Sequence, residues 1–154
     1  MTREEATALV NTAIDQLVQN DSALLDLDVT ERSLSYRLAH YIALSPFVQP
    51  PLTVDCEYNR HFGDPKRLNL PPRNALDREI RATTVFPDVL VHERNCDRNN
   101  LIVLELKKPG EDIGYDELKL RAFREELGYT HTAHVILGRS SNNVLVRQVR
   151  WVDA

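Results

Sequence analysis

Three charged residues stand in parts of the sequence that otherwise have the composition of buried β-strands. Asp88 precedes the apolar run Val89–Val91. Glu105 and Lys107 lie in a second apolar run, which starts at Leu101. Both runs are short and rich in valine, isoleucine and leucine, which predicts strands. An unpaired charge in such a place costs free energy, so buried charges in proteins are usually paired or bound to a metal. Asp88, Glu105 and Lys107 are therefore the residues whose types and positions could do chemistry.

The spacing of these residues predicts that they meet. The polar segment 93–100 between the two runs has the composition of a turn, so the runs are expected to form a β-hairpin. Side chains two positions apart on a strand share a face, and the start of one antiparallel strand lies beside the end of its partner. Two carboxylates with water suit Mg²⁺, and a nearby lysine can orient a water or stabilise developing negative charge. The alternative is that Glu105 and Lys107 form a solvated strand end and that Asp88 is a turn residue.

Pro87-Asp88 followed by Glu105-Leu106-Lys107 resembles the PD-(D/E)XK motif of the restriction-endonuclease-like nuclease superfamily. The resemblance implies that Asp88 and Glu105 bind a catalytic Mg²⁺, for which Mn²⁺ can substitute, with help from the backbone carbonyl of Leu106. It implies that Lys107 assists the attacking water. The implied reaction is hydrolysis of phosphodiester bonds in nucleic acid, with DNA as the favoured polymer. The resemblance covers roughly residues 31–138.

Two further candidate site residues lie on predicted helices. Glu31 follows the expected N-cap Thr30 in the first turn of a helix that runs to about Leu44, where a carboxylate also suits the helix dipole. The resemblance implies that Glu31 reaches the metal site, and the dipole is the alternative reason for its presence. Lys119, on a helix predicted from Tyr115 to Leu127, matches the polar or basic residue that often points back at the site in this superfamily, and it is expected to contact nucleic acid there. Otherwise Lys119 is a surface residue.

The chain between residues 59 and 84 is polar and is its one locally basic segment. It is expected to be a long irregular segment, and such segments are usually functional or disordered. The functional interpretation is that Lys66, Arg67 and Arg73 hold a phosphate backbone beside the metal. The alternative is a solvated excursion that links two strands. Leu52–Tyr58, just before this segment, alternates in polarity and is predicted to be the first core strand.

The order of predicted elements is helix, helix, strand, hairpin, helix, strand, strand. This order predicts an α/β fold with a mixed β-sheet flanked by helices, as in the restriction-endonuclease-like core. Strand, helix and strand between residues 101 and 137 form a crossover, so these two strands should be parallel. The final strand, from Val144 to Trp151, is expected at or near an edge. We expect one domain over residues 1–154, with N-terminal helices in 2–45 and the core in 52–151.

Composition narrows the class of protein. The chain has 154 residues, 42% hydrophobic and 27% charged, which is ordinary for one globular domain. Its net charge of −4 counts against a general nucleic-acid binder but does not exclude a nuclease. No apolar run has the length of a membrane span, and Cys56 and Cys96 form no disulfide framework, which together favour a reduced, cytoplasmic protein without membrane contact.

The small size of the chain leaves little room for a separate domain that reads nucleotide sequence. A highly specific restriction enzyme of this size would need to form a homodimer. A second hypothesis belongs to another class: a non-catalytic domain of the same fold that serves as a nucleic-acid-binding or assembly subunit. Binding of a divalent metal would distinguish the two hypotheses.

Overall fold

The computed structural model describes residues 1–72 and 80–153. Arg73, expected to contact nucleic acid, lies outside the described residues. Helices occupy α1 (Arg3–Asn20), α2 (Ser22–Asp26), α3 (Glu31–Ala43) and α4 (Gly114–Leu127). Strands occupy β1 (Thr53–Asp55), β2 (Arg60–His61), β3 (Asp64–Pro65), β4 (Arg67–Leu70), β5 (Arg81–Thr84), β6 (Val89–His92), β7 (Ile102–Lys107), β8 (His131–Arg139) and β9 (Leu145–Val152).

Five strands form one mixed sheet in the order β1-β6-β7-β8-β9. The pairs β1/β6, β6/β7 and β8/β9 are antiparallel, whereas β7 and β8 are parallel and connected through α4. This confirms the predicted hairpin, the predicted crossover and the edge position of the last strand. The sequence thus predicted a mixed α/β fold correctly.

Local sequence signals explain where the long helices begin and end. The Thr2 side chain accepts a hydrogen bond from the backbone N–H of Glu5, whose carboxylate in turn accepts one from the backbone N–H of Thr2, so α1 begins with a capping box. Thr30 caps α3, as predicted. Gly128 ends α4 in a left-handed conformation with φ of 68°, which glycine adopts without steric cost.

Both faces of the sheet are covered. Helices α1 and α3 pack on one face, against alternate residues of β6, β7 and β8. Helix α4 and the β4–β5 hairpin pack on the other face. The side chains of β6, β7 and β8 are almost all buried because each face contributes to a core. Among the helices of residues 1–72 and 80–153, none has both the length and the apolar character that crossing a bilayer requires.

Two predictions about residues 52–84 are corrected. The strand predicted over Leu52–Tyr58 ends at Asp55, because the chain turns at Glu57, where φ is 51° and the backbone N–H donates to the carbonyl of Pro87. The basic segment predicted to be irregular contains two small antiparallel hairpins, β2–β3 and β4–β5. The second of these buries Leu68 and Leu70 against α4.

Candidate functional site

The end of β7 and the start of β6 lie side by side, as the hairpin predicted. Val89 pairs with Leu104 in the register, so the next pair along the strands is Asp88 and Glu105. The Asp88 carboxylate accepts a hydrogen bond from the backbone N–H of Leu106, with 2.7 Å between Oδ2 and N. Burial raises the pKa of Asp88, although this hydrogen bond opposes the rise. The structure therefore brings the first predicted pair of carboxylates together at one end of the sheet.

Glu105 is the most deeply buried carboxylate of the cluster, with 3% of its surface exposed. Its Oε2 accepts a hydrogen bond from Lys119 Nζ at 2.8 Å. Its Oε1 has no hydrogen-bond partner within the described residues. Burial, with the negative charge of Asp88, raises the pKa of Glu105 to about 8 even though Lys119 acts in the opposite direction. The burial of Glu105 therefore costs free energy, and its second oxygen has no partner among the described residues.

Lys107 shares a face of β7 with Glu105. Its ammonium group lies between two other carboxylates. Its Nζ is 3.1 Å from Asp116 Oδ2 and 3.6 Å from Glu31 Oε2. Burial lowers the pKa of Lys107, but the hydrogen bond to Asp116 and the nearby negative charges outweigh burial, so the pKa is raised overall. Lys107 therefore stays positively charged and is fixed in position beside the carboxylate pair.

Helix α3 brings Glu31 to this end of the sheet from the opposite face. Its Oε1 accepts a hydrogen bond from the backbone N–H of Lys108 at 3.2 Å. Burial raises the pKa of Glu31 to about 7, and a hydrogen bond with Glu111 and the charges of Glu111 and Asp88 add to the rise. The same hydrogen bond lowers the pKa of Glu111. Glu31 is therefore more than a favourable charge in the first turn of α3, because its side chain joins the charged cluster.

Helix α4 contributes two residues, of which the sequence suggested one. Lys119 is buried and turned toward the sheet, in the direction that the resemblance implied. Asp116 was not predicted, although it bridges the two lysines: its Oδ1 is 3.6 Å from Lys119 Nζ, and its Oδ2 contacts Lys107. The i,i+3 spacing of Asp116 and Lys119 places them on one helix face, which was the available signal.

His134 was also missed as a neighbour of this cluster. It pairs with Glu105 in the parallel register of β7 and β8. Its ring is buried, and both ring nitrogens have no hydrogen-bond partner in the part of the chain that the structure describes. Burial lowers the pKa of His134, which favours the neutral imidazole.

Of the two predicted nucleic-acid contacts of the basic segment that the structure describes, only one is at the surface. Lys66 is 2% exposed, so the expectation that it faces a phosphate backbone is corrected. Its Nζ donates to the Tyr129 hydroxyl at 3.0 Å and lies over the rings of Tyr58 and Tyr129, and burial lowers its pKa to about 8. Arg67 is exposed at the start of β4. Lys66 therefore belongs to a buried polar cluster around His92, toward the other end of β6.

The donor atoms of the cluster suit a hard divalent cation in their chemistry, since carboxylate oxygens are the ligands that Mg²⁺ prefers. Asp88, Glu105 and Glu31 have raised pKa values, as expected for carboxylates that are buried away from water. Within residues 1–72 and 80–153, however, no group of three or more His, Cys, Asp or Glu side chains is arranged to hold a metal ion. In this arrangement Lys107 and Lys119 supply the positive charge.

No protein-family model, curated protein or solved structure matches this chain.

Proposed function

We propose that this protein is a metal-dependent nuclease that hydrolyses phosphodiester bonds, with DNA as the favoured substrate. The observation that carries the proposal is the meeting of Asp88, Glu105 and Lys107 at one end of the sheet, with a buried Glu105 oxygen that has no partner within the described residues. The proposal includes a restriction-endonuclease-like core, which the motif resemblance, the β6–β7 hairpin and the parallel β7–β8 pair support.

The residues of the cluster would have distinct roles in metal binding and in hydrolysis. Asp88 and Glu105, with the backbone carbonyl of Leu106, would hold Mg²⁺ or Mn²⁺. The bound metal would neutralise charge on the scissile phosphate and make water more acidic. Lys107, held by Asp116, would orient the attacking water or stabilise the negative charge that develops on phosphate oxygen. Glu31, whose pKa is raised to about 7, would accept a proton near this centre.

The test is cleavage of plasmid, linear duplex, single-stranded DNA and RNA in Mg²⁺, in Mn²⁺ or in chelator. We expect metal-dependent cleavage that falls at least about 100-fold in Asp88→Asn and in Lys107→Ala, while circular dichroism shows both variants folded. Asp15→Asn is the matched control, because Asp15 is an exposed aspartate on α1 that pairs with Arg147, and this variant should cut at the wild-type rate. Cleavage by folded Asp88→Asn at the wild-type rate would refute the assignment.

The second candidate is a non-catalytic domain that binds nucleic acid or other subunits. The observation that favours it is the contact of Lys119 with Glu105, which neutralises the buried carboxylate without a metal. Calorimetric titration with Mn²⁺ distinguishes the candidates. The nuclease should bind the ion at a site that Glu105→Gln abolishes, whereas the non-catalytic domain should show no heat that depends on Glu105.

A further inference from the structure

A depression beside the charged cluster is lined by an exposed aromatic ring. It encloses about 540 Å³ of empty space open to solvent. Phe86, 52% exposed, lines it together with Tyr115, and Lys119 lies on its wall toward Glu105. Phe86 is one of several exposed aromatic side chains, and it is set apart by its place beside the charged cluster and not by its exposure. The depression therefore borders the same site through Lys119.

Backbone hydrogen bonds hold the residues on both sides of Phe86. On one side, the Val85 N–H donates to the Lys66 carbonyl at 3.0 Å. On the other side, the Pro87 carbonyl accepts a hydrogen bond from the Glu57 N–H at 2.8 Å. Phe86 is two residues from Asp88, so their Cα atoms cannot be more than roughly 7 Å apart. The Phe86 backbone is thus held within the reach of one nucleotide from the proposed cleavage site.

The remaining walls are both apolar and polar. Leu70 and Val85 line the depression together with Thr83 and Thr84 of β5. The Thr83 hydroxyl donates to the Arg81 carbonyl at 3.2 Å and can still accept a hydrogen bond. Arg67 is the cross-strand partner of Thr84 and is exposed. An aromatic face, hydroxyl groups and a nearby guanidinium are the features with which proteins bind an unpaired base and its phosphate.

We propose that this depression binds an unpaired nucleobase stacked on Phe86, so that the substrate is single-stranded or locally unpaired nucleic acid. The inference rests on the proposed nuclease function for its place beside the cleavage site. In an intact duplex the base faces are stacked and cannot reach such a ring unless the nucleotide is extruded. Removal of one aromatic ring on which a base stacks lowers the affinity for the nucleic acid roughly tenfold or more.

The test measures binding of an oligonucleotide that contains 2-aminopurine, whose fluorescence is quenched by stacking. It is done in chelator and in the Asp88→Asn background, so that no cleavage occurs. We expect the single strand to bind at least tenfold more tightly than a duplex of the same sequence. Phe86→Ala should weaken single-strand binding roughly tenfold and remove most of the quenching, whereas Phe86→Trp should retain both.

Phe47→Ala is the matched control, because Phe47 is 48% exposed but lies just beyond the C-terminal end of α3, whereas Glu31 begins that helix. It should bind as the parent does. Equal binding of single strand and duplex, no binding of the single strand, or unchanged binding by Phe86→Ala would overturn the inference. If cleavage depends on metal and on Asp88, but Phe86→Ala binds the single strand as tightly as the parent does, only this inference fails. If the chain cuts no polymer but binds single strands through Phe86, only the nuclease proposal fails.

Discussion

Glu105 shows at the scale of one residue that the charged cluster costs the fold stability. A leucine at this place would pack into the core as Leu104 and Leu106 do on the other face. Instead, Glu105 is buried with one oxygen that lacks a partner in the described chain, and such a group costs about 1–3 kcal/mol. Polar groups that a fold retains at a cost are commonly found at functional sites.

The raised pKa values predict how stability depends on pH when no metal is present. A carboxyl group whose pKa is higher in the folded than in the unfolded protein binds more protons when folded, so stability falls as pH rises between the two values. For Glu31 and Glu105 this window runs from the ordinary value of 4.5 to about 7 and about 8. We expect the free energy of unfolding, measured with urea in chelator, to decrease by on the order of a few kcal/mol from pH 5 to pH 8.

Glu105→Gln should remove much of this decrease, because glutamine keeps the shape of the side chain without a charge to bury. At pH 8 the variant should be more stable than the unchanged protein in chelator. Glu125→Gln, an exposed position on α4, is the control and should follow the parent curve. A Glu105→Gln curve that parallels the parent at every pH would show that Glu105 is not the source of the effect.

At the scale of elements, α4 has two roles that depend on one helix face. Leu120 and Phe123 pack against the sheet, while Asp116 and Lys119 on the same face contact Lys107 and Glu105. The packing of the C-terminal half therefore positions the charged residues of the N-terminal half. The left-handed residue Gly128, which ends the helix, allows the chain to turn directly into β8.

We expect Gly128→Ala to lower the free energy of unfolding by about 1 kcal/mol, because alanine is strained at a φ of 68°. Among the described residues, no atom outside its chain neighbours lies within 4 Å of the Cβ that alanine adds, so the loss would come from the backbone and not from a clash. Urea unfolding measures the change. Glu125→Ala on the exposed side of the same helix should shift stability by less than about 0.5 kcal/mol. Equal stability of Gly128→Ala and the parent would contradict this account.

The elements that the sequence predicted correctly are those marked by local features of the sequence, such as helix caps and apolar runs. The capping box at Thr2, the cap at Thr30 and the C-terminal Gly128 mark helix ends, and the run of apolar residues in β7 marks a buried strand. The strands β2 to β5 have only two to four residues, which is too short for periodicity to show. Their pairing was therefore not visible in the sequence.

The contacts of the site were harder to predict than its central residues. Asp88, Glu105 and Lys107 follow from hairpin geometry, because the turn sets which residues meet. Glu31 reaches the backbone N–H of Lys108 across 77 positions of the chain, which only the tertiary fold determines. Lys66 was misplaced because lysine is normally exposed, and its aromatic neighbours Tyr58 and Tyr129 come together only in the folded protein.

At the scale of the whole molecule, the site lies where three layers of the structure meet. Glu31 comes from the helices on one face of the sheet, Asp88 and Glu105 from the sheet, and Lys119 from the helix on the other face. A ligand that bridges charges at this end would therefore connect both cores. Its binding should stabilise the entire fold and not a single loop, since anything that binds only the folded state raises its stability.

We therefore expect Mn²⁺ or Mg²⁺ to raise the melting temperature of the intact chain. A free ion concentration 100 times the dissociation constant corresponds to about 2.7 kcal/mol. The rise should be larger at pH 8 than at pH 6, because Glu105 must lose its proton to bind the ion. Differential scanning calorimetry in ion and in chelator measures the rise. Glu105→Gln should lose it and Asp15→Asn should keep it. No difference between ion and chelator at either pH would mean that Lys107 and Lys119 already satisfy the carboxylates, and the non-catalytic candidate would then be the better account.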